Sequence, residues 1–323
     1  MHKHLNIMKN ACLWLIGVGG SLLMTVGCER KQELGPPKAE VVREDGVLEL
    51  GLMSFNIRYE TREDRDSRSW PERLAGVVAM IRRERPDVMG VQEALHGQAA
   101  DLWASLPDYE FFGVGRDDGV SAGEYAGIFF RRDRFVIDPQ ERGTFWLSDT
   151  PEKPGSFSWG NEIPRVTTWV RLVDLATGRG FYVFNTHWDH RNQPSREKAA
   201  WMIARRVDGR IHKDEPVVLI GDLNTTETHP GYLYLTGKKV KVAGQEQRWS
   251  NAMIDTFQIL NPSVKDRRTL HFWSGSRAGF LKVDHIFVSD GAEVLASGII
   301  SGDKTMVSDH FPVTSRVRFR QKP

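Results

Sequence analysis

Downstream of residue 46 the chain alternates between short apolar runs that end in a polar residue and longer stretches with helical spacing. Residues 47–57 read as a first strand. Pro71 followed by Leu74, Val77, Val78 and Ile81 gives an amphipathic helix that Arg85-Pro86 stops. Residues 87–93 form a short apolar strand ending in Gln92-Glu93, followed by a helix near 98–106 and strands at 109–114, 125–130 and 134–137. An aromatic loop is expected over 143–165, and loops of that length inside a domain are usually functional or disordered. Residues 167–173 and 181–186 pair as a hairpin, and 195–211 form a helix with Ala199, Met202, Ile203 and Val207 inward. Strands at 217–221 and near 280–288, 294–300 and 313–319 close the chain. Many strands with interspersed helices, no internal repeat and no second domain point to two packed sheets with helices outside.

The first 46 residues follow a different pattern. Residues 1–11 are polar and carry Lys3 and Lys9, and residues 12–27 are an uncharged apolar run ending before Cys28. That run is short for a membrane span of about 20 residues and fits a secretory signal. Small residues before a lone cysteine resemble a bacterial lipoprotein signal, with Thr25 standing where leucine is usual. The expected organisation is a signal peptide at 1–27, a lipidated Cys28 opening a tether over 28–46, and a catalytic domain over 47–323. The protein is then an exported, membrane-anchored lipoprotein of the cell envelope, expected as a monomer. Cys12 leaves with the signal and Cys28 is acylated, so no disulfide is available.

The whole chain has 323 residues, 40% hydrophobic and 27% charged, ordinary for a soluble globular protein. Without residues 1–27 it holds 42 basic and 42 acidic residues. That balance argues against a protein that depends on non-specific nucleic-acid binding. Local arginine clusters (Arg82, Arg83, Arg85; Arg131, Arg132, Arg134) are more often solvated faces.

The polar ends of the apolar runs carry the candidate chemistry. Acids and amides there suit a hard cation such as Mg²⁺ (or Mn²⁺), which takes oxygen ligands. The lack of a spare cysteine argues against zinc. Glu93 is the leading ligand candidate, with Asn56 and Asp309 beside it. Asp222 and Asn224, two apart on an extended strand end, are expected to point the same way. One takes a proton from water while the other holds the water or a phosphate oxygen. His187 and His310 donate to non-bridging oxygens or protonate a leaving group, with Asp284 orienting His310. Together they fit an in-line displacement at phosphorus.

Asn56 after Met53-Ser54-Phe55, then Gln92-Glu93, Asn185-Thr186-His187, Gly221-Asp222-Leu223-Asn224, Val283-Asp284-His285-Ile286 and Ser308-Asp309-His310-Phe311-Pro312 follow one another along the chain. In these segments, from about residue 48 to the end, the chain resembles the endonuclease/exonuclease/phosphatase superfamily. The resemblance implies an α+β fold, a four-layer α/β/β/α sandwich of two mainly antiparallel sheets flanked by helices. It also implies Mg²⁺- or Mn²⁺-dependent phosphoester hydrolysis, with Glu93 and Asn56 at the metal, Asp222 and Asn224 at the water and phosphate, and an Asp284–His310 pair. Asp222 and His310 stand as rival bases. Gly123-Glu124-Tyr125, Phe145-Trp146-Leu147-Ser148-Asp149-Thr150-Pro151 and Trp188-Asp189-His190 resemble an exported bacterial subgroup. Arg165, Tyr125, Trp146, Trp159, Trp188 and Trp273 are the candidates to line the substrate cleft.

The leading expectation is therefore an anchored phosphodiesterase or phosphatase acting on a small or glycosylated phosphoester. A nuclease comes second, and a phospholipid or sphingolipid phosphodiesterase is a third option, without an evident exposed aromatic hairpin. A non-enzymatic binding module is disfavoured, because every chemically necessary side chain is present.

Overall fold

The first strand decides the layering. β1 (Val47–Asn56) sends Leu48, Leu50 and Leu52 to one face and Met53 and Phe55 to the other, and all five are buried. A strand buried on both faces must lie between two other layers. The computed structural model describes residues 46–301 and 306–320. The expected signal, Cys28 and nearly all of the expected tether lie outside the described residues.

Along the chain, β1 leads to α1 (Trp70–Glu84), β2 (Val88–Ala94), α2 (His96–Ser105), β3 (Tyr109–Phe112) and β4 (Tyr125–Arg131). Next come β5 (Phe135–Trp146), β6 (Val166–Asp174), β7 (Gly180–His187), α3 (Gln193–Gly209), β8 (Val217–Asp222) and α4 (Pro230–Leu235). A small ribbon, β9 (Val240–Val242) with β10 (Gln245–Gln247), precedes β11 (Met253–Asp255) and α5 (Thr256–Leu260). β12 (Asp284–Ser289), β13 (Ala292–Ile299) and β14 (Val313–Arg320) complete the described strands.

Two six-stranded sheets result, ordered β13-β14-β1-β2-β4-β3 and β11-β12-β8-β7-β6-β5. Each is antiparallel except for one central parallel pair, β1 with β2 and β7 with β8. The leucines of β1 meet Val183, Ile220 and Ile286 between the sheets. Met53 and Phe55 pack under Val77 and Ile81 of α1 and Leu102 of α2. Tyr182, Phe184 and Leu219 pack under Ala199, Ile203 and Val207 of α3. The order helix, sheet, sheet, helix is the expected four-layer sandwich. Among the described residues no helix is long and apolar enough to cross a membrane.

The sheets approach closely at Gly90, where a Cβ would come 2.7 Å from both Asn185 Oδ1 and Ile220 Cγ2. Glycine there lets Asn185 cross between the sheets and donate to the carbonyls of Val91 (2.9 Å) and Gly127 (2.7 Å). Gln92 Nε2 donates back to Asn185 Oδ1 at 2.7 Å. This bonded amide pair ties the two sheets together near the site.

Two elements depart from expectation. The strand read as 134–137 continues to Trp146, because a register shift between Ile137 and Arg142 absorbs Pro139. The irregular connection therefore begins at Leu147. The strand read near 280–288 starts at Asp284, and the residues before it are irregular, exposing Phe272 and Phe280.

Candidate active site

The two parallel pairs finish at one end of the sandwich. Asn56 closes β1 opposite Gln92, and His187 closes β7 opposite Asp222, the last residue of β8. Asp284 opens β12 directly across from Asp222. His310 arrives ahead of β14, where it bridges Leu270. Residues far apart in sequence thus share one edge because their strands pair in register.

Asn56 links the two halves: its Nδ2 donates to Glu93 Oε1 and to Asp222 Oδ2, both at 3.0 Å. Its Oδ1 accepts from the Arg58 backbone N–H at 3.0 Å. As placed, Asn56 spaces the two carboxylates with its nitrogen while its oxygen is engaged by the Arg58 N–H. Glu93 Oε2 accepts from Tyr59 N at 3.1 Å. Ser308 Oγ donates to the Asn56 carbonyl at 2.7 Å and so brings Asp309 alongside. Arg58, Glu93 and Asn224 have φ of 59°, 65° and 48°, left-handed values that side chains with a Cβ rarely adopt. Asn224 accordingly owes its position to a turn, not to strand alternation: its N–H bonds Asp222 Oδ1 at 2.8 Å and its Nδ2 bonds the Trp188 carbonyl at 3.0 Å.

Asp222 lies at the centre. His187 Nε2 stands 3.6 Å and His310 Nε2 3.9 Å from its Oδ2. Asp284 Oδ2 accepts from His310 Nδ1 at 2.8 Å, the orienting pair expected from the sequence. Burial and the neighbouring Asp284 push the Asp222 carboxyl up to about 7. Burial alone would lower His310, but Asp284, Asp222 and Asp309 outweigh it and hold the imidazole charged, up to about 10. His187 is driven the other way, first by burial and then by Arg165, so it stays neutral. Burial raises Asp309; His310 opposes and Glu93 adds to the rise.

Asp222, Asp284 and His310 have ligand atoms within 4.8 Å of one another, a trio compact enough to hold an ion. His310, however, is held charged by the surrounding carboxylates, and a protonated imidazole has no lone pair to give an ion. Glu93 and Asp309 instead offer carboxylate oxygens alone, the donor set a hard divalent ion prefers.

Beside His187 lies a cavity of about 10 Å³ walled by Arg116, Glu124, Arg165 and Tyr125, with Ala126 and Val166 beneath. Arg165 and Tyr125, two of the expected cleft residues, both line this cavity. Trp146 stands behind this wall: it packs on Ala126 and Val166, and its Nε1 donates to the Arg116 carbonyl at 2.6 Å. Trp188 is 0% exposed and packs among the α3 side chains. It follows His187 directly, so it points to the opposite face, and its expected place in the cleft is corrected.

Sequence reasoning missed several supports. Arg73, 1% exposed, donates to the carbonyls of Ile57 (2.6 Å), Val307 (2.8 Å) and Arg58 (3.0 Å), tying the segment after β1 to the approach to Asp309. Gln98 receives the Glu60 N–H at 2.8 Å and donates to Arg58 O at 2.9 Å. In sequence both look like ordinary polar helix positions. Arg116 and Glu124, joined by two bonds of 2.7 Å, flank a turn read only as a connection.

The family model of the Endonuclease/Exonuclease/phosphatase family matches residues 53–310. The chain belongs to this family. Its members are phosphoester hydrolases that depend on a divalent metal. An endonuclease/exonuclease/phosphatase from Bacteroides vulgatus is similar at 32% identity, over 84% of this chain and 98% of that one, with a TM-score of 0.74. A mannosyl-6-phosphatase from Bacteroides thetaiotaomicron is similar at 30% identity, over 83% and 99%, with a TM-score of 0.71. The human Nocturnin catalytic domain, solved with a sulfate anion, shares the fold at 16% identity, over 83% and 93%, with a TM-score of 0.63. No protein of curated function matches.

Proposed function

We propose that this family member hydrolyses a small sugar phosphate outside the cytoplasm, with Mg²⁺ (or Mn²⁺) as its metal. The observation that carries the reading is the convergence on Asp222, reached by Asn56 and by His310, ahead of β14, from the first sheet and by His187 from the second. The mannosyl-6-phosphatase relative supports the substrate class.

Glu93 and Asp309 would hold the ion, and when bound it supplies Lewis-acid stabilisation of negative charge on the phosphoryl oxygens. Asp222 takes the proton of the attacking water. Asn224 has its Nδ2 committed to Trp188, so it offers its amide oxygen and orients that water. His310, charged by its pairing with Asp284, donates to a phosphoryl oxygen, and His187 flanks the same position. The water oxygen bonds to phosphorus as the bond to the leaving oxygen breaks. The leaving oxygen takes a proton from solvent and departs as an alcohol, and Asp222 returns the water's proton to solvent, which restores the site.

Export and acylation at Cys28 belong to the same reading, as does a monomeric state; the apolar run at 12–27 supports export. Cys28→Ala should move the protein from the membrane to the soluble fraction, and an unchanged membrane pool would count against the anchor. The direct test of function is release of phosphate from mannose 6-phosphate and p-nitrophenyl phosphate, with Mg²⁺, Mn²⁺ or chelator in parallel. Absence of turnover with either ion would remove the assignment. A second reading, a phospholipid phosphodiesterase, is favoured by Phe272 and Phe280, 65% and 71% exposed near the Leu270–His310 bridge. Release of the headgroup from phospholipid vesicles, with no action on sugar phosphates, would promote it. The balanced charge keeps a nucleic-acid substrate behind both.

A further inference from the structure

Against the turn that carries Asn224 lies a buried charged cluster that the chemistry above does not use. Lys282 and His285 are 0% exposed, and Asp255 is buried with them. Lys282 Nζ donates to His285 Nδ1 at 2.7 Å and to Asp255 Oδ2 at 3.2 Å, and the Tyr232 hydroxyl donates to the same oxygen at 3.1 Å. Asp255 Oδ1 caps α5 through the N–H groups of Phe257 (2.9 Å) and Gln258 (3.1 Å). Burial pushes the Asp255 carboxyl up, but its neighbours, Lys282 foremost, outweigh that and hold it ionised. On its other side the imidazole of His285 meets the Thr225 carbonyl, with Nε2 at 3.0 Å.

These contacts admit one arrangement of protons. An ammonium has only donors, so His285 Nδ1 beside Lys282 must accept; a carbonyl only accepts, so Nε2 must carry the hydrogen. Asp255 Oδ2 lies 3.0 Å from the same Nδ1, and the ammonium donates to both. Lys282 therefore selects the tautomer that reaches Thr225. Replacing a buried ion pair by apolar side chains of similar volume is often neutral or stabilising, so stability alone does not account for this cluster. What it adds is direction: one N–H aimed at one carbonyl.

Thr225 follows Asn224, whose φ is 48° and whose amide orients the attacking water in the reading above. Asp284 and His285 are neighbours on β12 and face opposite sides of the sheet. Asp284 holds His310 at 2.8 Å, and His285 holds the turn after Asp222. One strand thus steadies two parts of the site that approach from separate segments.

We propose that Lys282, Asp255 and His285 are positioning residues: through the Nε2–H of His285 and the Thr225 carbonyl they hold the Asn224 amide in place for the attacking water. The inference rests on the hydrolase reading for the role of Asn224 and deepens it.

Two measurements on the full chain in detergent test it. Nitrogen NMR of isotope-labelled histidine side chains, assigned by comparison with His285→Gln, reads the tautomer in the unmutated protein without turnover. A protonated Nε2 and a bare Nδ1 are expected, and a proton on Nδ1 overturns the proposal. The second is kcat per folded molecule with Mg²⁺, on p-nitrophenyl phosphate or bis-p-nitrophenyl phosphate, whichever the wild type cleaves. His285→Phe should lower kcat by about 10- to 100-fold and leave KM within about threefold. His285→Gln, whose amide N–H can replace the Nε2–H, should restore most of that loss. In an Asn224→Ala background, His285→Phe should cost less than about threefold, because no amide is left to place. An equal loss in both backgrounds, or an unchanged rate in His285→Phe, overturns the proposal and leaves the hydrolase assignment standing. No hydrolysis of either ester overturns both. The tautomer needs no variant of altered fold, so misfolding of His285→Phe cannot rescue the idea.

Discussion

The central strands carry buried charge at both ends of the sandwich, and the ends differ in how completely it is bonded. At the end away from the site, Arg134 donates to Asp174 at 3.2 Å and to the Glu49 carbonyl, and it pairs with Asp87. Asp87 accepts the Gly51 N–H at 2.7 Å, and Asp174 accepts those of Ala176 and Thr177 at 3.0 Å. At the site end, Arg165, His187 and one oxygen of Asp284 keep buried atoms without partners. A complete network holds the sheets in place; an incomplete one is arranged for something that is not part of the chain.

This contrast can be broken in four ways. The largest effect belongs to the site end: Asp222→Asn and His310→Ala should each lower kcat by about 10³-fold or more with the circular dichroism spectrum unchanged. Retention of a tenth of the wild-type rate would place the chemistry elsewhere. At the other end, Arg134→Met should remove about 3 kcal/mol of stability in urea unfolding, because it takes away the cation bonded to the buried Asp174, while Asp87 keeps Arg131 at 3.6 Å and kcat per folded molecule holds. Loss of rate without loss of stability would reverse the distinction.

The third effect has the opposite sign. The Asp222 carboxyl rises from 3.8 to about 7 on folding. Between those pH values the folded state keeps a proton that the unfolded state has released, so stability falls as pH rises through that window. Asp222→Asn removes this loss. In chelator at pH 8 the variant should be more stable than wild type by on the order of 2 kcal/mol, an inactive but sturdier protein. A destabilised Asp222→Asn would mean that the carboxylate is fully accommodated. The smallest effect is on metal dependence: Glu93→Gln should raise the Mg²⁺ concentration for half-maximal rate by about tenfold, or about 1.4 kcal/mol. An unchanged titration would point to the Asp222, Asp284 and His310 trio as the ion's seat.

Much of this was legible in the sequence because local chemistry dictates it. Alternating apolar residues in β1, the helix stop at Arg85-Pro86 and a polar residue closing each central strand are properties of adjacent residues. They were enough for two sheets, outer helices and a shared edge of acids, amides and imidazoles. Strand ends can be read in this way because a parallel pair aligns its termini; Asn56 meets Gln92 and His187 meets Asp222 for that reason alone.

Direction and partnership were settled only by the tertiary structure. Trp188 looks like a cleft residue until β7 is paired and its side chain turns under α3. Asn56 is one strand-end amide among several until its nitrogen is seen between Glu93 and Asp222. β5 looks finished at Ile137 until β6 pairs beyond the bulge. Arg165 could equally be a surface ion pair until burial leaves its N–H groups facing a cavity. Residue order alone dictates which groups stand at the strand ends and which layers must cover them. The fold decided which atoms face one another, because orientation and hydrogen-bond completion depend on contacts between segments that the linear order keeps far apart.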